Sequence, residues 1–245
     1  MSQPLYKSSL REAARCIREG GLTAVEATRA CLTRHSRLEP RVQAWEHLEA
    51  ARAMERAEEL DAALGAGTAA GALHGIALGV KDIIHVAGMP TGMGSAVFAG
   101  GIARETAPVV ARLEAAGAII LGKTVTAELA YYTPGKTRNP WNPDHTPGGS
   151  SMGSAAAVAA GMCFGALGTQ TNGSVIRPAA FCGVVGFKPS HGALPTAGML
   201  AFAPSLDTVG VLARTVADAA LIAAVCAAAA PPAAAVPSRP PRLAA

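Results

Sequence analysis

The rhythm of apolar and polar positions changes at Gly71. Before it, residues 8–36 carry two helical patterns parted by "GGLT", and Thr23 with Glu26 three residues on predicts a capped helix start. The stretch "AWEHLEAARAMERAEELDAAL" has charges along one face and predicts a longer single helix. These pieces predict a helical layer laid against another layer.

After Gly71 the apolar runs shorten and glycines bound them. "HGIALGVKDII" predicts a buried strand, and "APVVARLEAAGAIILGKT" a helix, a glycine stop and a strand. "CFGALGTQT" and "GVVGFKPS" predict further strands, and "TVADAALIAAVCAAAA" a helix. In "TPGGSSMGSAAAVAAG" two glycines and two serines lead into an Ala-rich, tightly packed helix, so a serine cap on a buried helix is the plainest reading of that pair. The alternation predicts an α/β fold whose sheet is covered by helices. Residues 229–245 read as a Pro/Ala-rich linker or frayed end.

Composition narrows the function classes. The 245 residues suit one large domain or two small ones, and half are apolar, enough for a sizeable core. The net charge of +4 is spread along the chain, without the basic cluster that direct nucleic-acid binding uses. Five scattered cysteines with no C-x-x-C pair argue against a disulfide framework or a zinc site and fit a reducing cytoplasm. The start lacks the apolar core of a signal peptide, and no apolar run reaches the roughly 18 residues of a membrane span.

Three segments carry candidate chemistry. "GSSMG" matches G-x-S-x-G and nominates Ser151 as a nucleophile, but that motif needs a strand entering the turn, and "RNPWNPDHTPGG" reads as loop. His145 beside Asp144 suggests a Ser/His/Asp triad, yet a sequence neighbour is badly placed to orient the ring. In "GTQTNGSVIRPAAFCGVVGFKPS" the N–H groups of Thr171, Asn172, Gly173 and Ser174 could form a concave anion-binding nest, or a tight turn between strand and helix. Lys81, at the end of an apolar strand, is either half of a surface pair with Asp82 or a buried amine needing partners.

Together these segments resemble the amidase signature family of serine hydrolases. The matching stretches are "LHGIALGVKD", "TRNPWNPDHTPGGSSMGSAAAVAAG", "GTQTNGSVIRPAAFCGVVGFKPS" and "PSLDTVGVLARTVADAA", covering roughly residues 5–228. The resemblance implies an α/β fold with a mixed sheet covered by helices, residues 1–228 being its N-terminal catalytic portion and 229–245 a truncated linker. It implies a Ser–Ser–Lys triad: Ser174 as nucleophile, Ser150 as bridging residue on a cis Gly149–Ser150 bond, and Lys81 as base. Backbone N–H groups of Thr171, Asn172, Gly173 and Ser174 would form the oxyanion hole, Ser151 would cap or support its loop, and Tyr131 and Tyr132 could line the acyl pocket. No metal or organic cofactor is implied.

The sequence departs from the family pattern Asp-x-Gly-Gly-Ser-Ile-Arg: Gln170, Asn172, Val175 and Ile176 stand in those places and the arginine comes one position late, as Arg177. Met152 replaces a small residue. The expected activity is hydrolysis of a small-molecule carboxamide or urea-like bond. The alternatives are the amidase subunit of a tRNA-dependent amidotransferase and a truncated remnant without turnover; a homodimer or partner subunit is compatible. Family chains continue well past this one, so the chain alone is expected to have an exposed sheet edge, an open site and weak or absent turnover.

Overall fold

The computed structural model describes residues 4–228, and the Pro/Ala-rich tail at 229–245 lies outside the described residues. Helices α1 (Leu10–Arg18) and α2 (Ala24–Val42) open the fold. Ser9 caps α1, and Thr23 and Glu26 form the expected reciprocal capping box on α2. Helix α2 runs past residue 36, carrying Pro40 in its last turn. Beyond it, the Glu39 carboxylate accepts the N–H groups of Ala44 and Trp45 at 3.0 and 2.9 Å.

The single helix expected over 44–64 is two elements. Trp45–Leu48 form strand β1, and helix α3 (Ala50–Gly65) starts only after it. Trp45 is buried, and β1 pairs antiparallel with β3 (Ile119–Thr124). The ladder and tryptophan burial outweigh the helix preference of the neighbouring residues. The pairing is close at Gly122, where a Cβ would lie 2.1 Å from the His47 carbonyl oxygen.

Strand β2 (Ala77–Lys81), helix α4 (Pro108–Ala115) and β3 make a parallel crossover, as the sequence predicts. Next come α5 (Met152–Ala159), β4 (Gly165–Gln170), α6 (Ile176–Cys182), β5 (Val185–Phe187), β6 (Thr208–Ala213) and α7 (Val216–Ala227). The sheet order is β1-β3-β2-β4-β6-β5. Strands β3, β2 and β4 are parallel, and β1, β6 and β5 join them antiparallel, so the sheet is mixed and covered by helices as expected. β6 is not among the strands the sequence pattern predicts. All six of its residues are buried, so "TVGVLA" lacks the alternation of a half-exposed strand.

One apolar core runs from Leu10 on α1 to Cys226 on α7. Among the described residues β5 pairs only with β6, which places it at one end of the sheet. There β5 and α7 line an apolar groove of 570 Å³ that includes Phe187, Leu194, Val216 and Ala223.

Candidate active site

Parallel strands end on the same side of a sheet, and ligand sites in α/β folds gather at those carboxyl ends. Lys81 is the last residue of β2, and Thr169 lies near the end of its neighbour β4. Lys81 is fully buried, and its Nζ donates to Ser150 Oγ at 2.8 Å and to Thr169 Oγ1 at 2.9 Å. Both partners are neutral. Burial therefore pushes the amine down to about 7, against the opposing pull of the Asp207 carboxylate. Near neutral pH a substantial fraction of Lys81 is an uncharged amine with a free lone pair. The Lys81–Asp82 surface pair is not formed: Asp82 faces Lys123 instead, its Oδ1 3.1 Å from Nζ, with both side chains buried.

The Gly149–Ser150 peptide bond is cis. Ser150 is buried, and its carbonyl accepts the Ala127 N–H at 3.1 Å. Ser151 precedes α5 but makes no side-chain cap, so the cap reading of the serine pair fails. Its hydroxyl instead donates to the Thr169 carbonyl and accepts the Thr169 N–H, both at 3.2 Å, tying the serine loop to β4. This is the supporting role expected of Ser151. The second glycine of "GSSMG" has its own reason. A Cβ at Gly153 would lie 2.3 Å from both Ala44 O and Val125 N, so only glycine lets α5 start against those strands.

Ser174 sits in the turn after β4 and is 9% exposed. Its carbonyl accepts the Ser151 N–H at 3.1 Å, which fixes the two serine loops side by side. Its hydroxyl makes no hydrogen bond among the described residues. Gln170 Oε1 accepts the N–H groups of Val175 and Ile176 at 2.8 and 2.9 Å, capping the start of α6. The N–H groups of Asn172, Gly173 and Ser174 meet no acceptor among the described residues, which leaves a cluster of donors beside the Ser174 hydroxyl. Arg177 bends back over this turn: its Nη2 donates to Asn172 Oδ1 at 3.2 Å, and a Cβ on Gly173 would meet the same nitrogen at 2.8 Å.

His145 and Asp144 are exposed in the loop before the serines, and they form no Ser/His/Asp triad among the described residues. Tyr131 and Tyr132 are also exposed. Their rings lie 4.4 Å apart, and Tyr131 stacks on Phe202 at 5.4 Å, making an aromatic patch. The backbone leading to it adopts left-handed geometry at Leu129 and Ala130, at φ 49° and 60°. It is linked to the Ser150 loop through Ala127. Sequence reasoning missed three neighbours: Thr169, which shares the lysine amine; Ser154, whose hydroxyl donates to the Leu167 carbonyl at 2.9 Å; and Asp207, which accepts the Thr171 hydroxyl at 2.6 Å. Neither Thr169 nor Asp207 carries a local signal, since both act through contacts distant in sequence. Among the described residues no group of three or more His, Cys, Asp or Glu is placed to hold a metal.

A buried lysine, a cis-linked serine and an unbonded serine beside free N–H groups are a constellation suited to acyl transfer. The chain belongs to the amidase family, whose pattern, described as Amidase, matches residues 26–242. It is 44% identical over 230 residues to a glutamyl-tRNA(Gln) amidotransferase subunit of Roseiflexus castenholzii, covering 91% of this chain and 47% of that protein. Among solved structures it resembles the native peptide amidase of Stenotrophomonas maltophilia, with a TM-score of 0.87 and 35% identity over 97% of this chain and 52% of that one. It also resembles a protein described with a vestigial complex that reveals the origins of an s-triazine catabolic enzyme, with a TM-score of 0.85 and 33% identity over 89% of this chain and 50% of that one. The chain spans about half the length of the curated relatives it matches.

Among the described residues no helix is long and apolar enough to cross a membrane. The five cysteines are free. Burial holds the thiols of Cys163, Cys182 and Cys226 up at about 12, which keeps them protonated and unreactive.

Proposed function

We propose that this chain carries the catalytic half of an amidase that cleaves a small carboxamide or urea-like C–N bond through an acyl-enzyme on Ser174. The observation that carries the reading is the buried Lys81 amine, pushed down to about 7 and bonded to Ser150. Ser174 is a poor nucleophile until its proton is removed. In the proposed step Ser174 Oγ attacks the carbonyl carbon while its proton passes to Ser150 Oγ and the Ser150 proton passes to Lys81 Nζ.

The N–H groups of Thr171, Asn172, Gly173 and Ser174 stabilise the tetrahedral oxyanion. As the C–N bond breaks, the proton returns through Ser150 to the leaving nitrogen. Water then attacks the ester, losing a proton along the same path, and releases the acid and free Ser174. No step draws on a metal or organic cofactor. Tyr131, Tyr132 and Phe202 supply an apolar wall for the acyl group.

The test is reaction of the 245-residue chain with a small fluorophosphonate, followed by intact-mass measurement. A stable adduct mapped to Ser174 and absent from Ser174→Ala is expected; an unlabelled, folded wild type would overturn the proposal and support the remnant reading. A second reading, the amidase subunit of a tRNA-dependent amidotransferase, is favoured by the 44% identity to the Roseiflexus protein. Glutamine-dependent ammonia transfer to a misacylated tRNA, seen only with partner subunits added, would establish it over the free-standing amidase.

A further inference from the structure

Asp207 immediately precedes β6, far in sequence from the three proposed triad residues, yet its carboxylate is buried and fully engaged. Oδ1 accepts the Thr171 hydroxyl at 2.6 Å. Oδ2 accepts the N–H groups of Phe202 and Ala203, each at 2.7 Å. Thr171 begins the turn that delivers Ser174, and Phe202 stacks on Tyr131. One carboxylate therefore joins the nucleophile turn to the aromatic wall. It also acts electrostatically on Lys81, where it is the charge that opposes the effect of burial.

We propose that Asp207 is a positioning residue of the amidase site, holding the Ser174 turn and the Phe202 segment in register beside the Lys81 amine, on which its carboxylate acts. The proposal rests on the amidase reading above. Cationic or titratable groups on the surrounding elements include Lys81 on β2, Arg177 on α6, which donates to Asn172, His191, whose Nε2 meets the Pro204 carbonyl at 3.0 Å, and Tyr131, which stacks on Phe202. Among the described residues none forms an ion pair with Asp207. Its burial is compensated by the three hydrogen bonds it accepts.

Charge and scaffolding can be separated experimentally. An Asn at 207 can accept the Phe202 and Ala203 N–H groups through Oδ1 and donate to Thr171 Oγ1 through Nδ2, keeping the scaffold while removing the charge. The neutral amine is the active base, so reactivity is lost as pH falls through the Lys81 titration. Removing a negative charge favours the neutral amine and moves that limb to lower pH. Thr171→Val keeps the charge and drops one hydrogen bond.

The experiment follows the rate of Ser174 labelling by a small fluorophosphonate against pH, for wild type, Asp207→Asn and Thr171→Val in the 245-residue chain. The acid limb of Asp207→Asn is expected about half a unit to one unit lower than in wild type. Thr171→Val is expected to leave the limb in place and lower the plateau. Should Asp207→Asn prove insoluble, Asp207→Ser removes the same charge with the same expected displacement. A limb that stays put or rises overturns the role of Asp207 while leaving the amidase reading intact. Absence of Ser174 labelling in wild type at every pH overturns both.

Discussion

Replacing Lys81 by methionine is expected to change how stability responds to pH, and the change can be worked from the buried amine. In the unfolded chain Lys81 titrates near its ordinary value of about 10.4. In the folded protein burial moves it down to about 7. Below pH 7 the amine is charged in both states, and the folded state bears the full cost of a buried ammonium. Between pH 7 and 10 the unfolded state holds the extra proton, so unfolding becomes harder as pH rises, by about 1.4 kcal/mol per unit. Over the whole window this amounts to an order of 5 kcal/mol.

The Lys81→Met chain has no such group. Other titrating residues, including the Lys123–Asp82 pair, cancel in the difference between the two proteins. Urea unfolding at pH 6, 7, 8 and 9 gives that difference directly. Wild type is expected to gain on Lys81→Met by more than about 2 kcal/mol between pH 7 and 9. Near pH 7 the two should be close, because relief of the buried charge offsets the loss of two hydrogen bonds, each worth about 1 kcal/mol. A difference flat from pH 6 to 9 would mean that Lys81 remains protonated in the fold, and the argument for it as a base would fail.

Ser150→Ala is expected to slow fluorophosphonate labelling of Ser174 by about 10²- to 10⁴-fold, the usual worth of a positioned proton carrier, while urea stability shifts by only about 1 kcal/mol. Labelling at the wild-type rate would remove Ser150 from the relay. Lys123→Met leaves Asp82 buried without its cation and is expected to cost about 3–5 kcal/mol in the same unfolding assay. A loss below about 1 kcal/mol would show that water reaches the Asp82 carboxylate. Gly153→Ala drives a methyl to within 2.3 Å of Ala44 O and Val125 N, so loss of soluble protein or a stability drop of several kcal/mol is expected. Wild-type stability in that variant would refute the close start of α5.

A helix-covered sheet could be read from short apolar runs bounded by glycine because β2, β3 and β4 are fully buried and continuous, whereas its mixed character came only from the family resemblance. β1 was hidden because "WEHL" adjoins a strong helix former, and only its ladder with β3 makes it a strand. β6 was hidden because burial on both faces erases alternation. At the site the family resemblance nominated Lys81, Ser150 and Ser174, and the structure brings the first two into hydrogen-bond contact and the third loop alongside. Thr169 and Asp207 escaped notice for a physical reason. Their parts are long-range side-chain contacts that no local pattern encodes. The Gln170 departure becomes intelligible only in three dimensions, as a neutral acceptor that caps α6 and leaves the preceding N–H groups unused.

The central claim is that a substantial fraction of the Lys81 amine is uncharged near neutral pH. Its most direct test is a titration of the Lys81 Cε signal by NMR in chain labelled with ¹³C-lysine, assigned by its absence from Lys81→Met. A midpoint close to 7 is expected, well below the value of about 10.4 for a lysine free in water. A Lys81 signal that stays in the ammonium position through pH 9 would contradict the account.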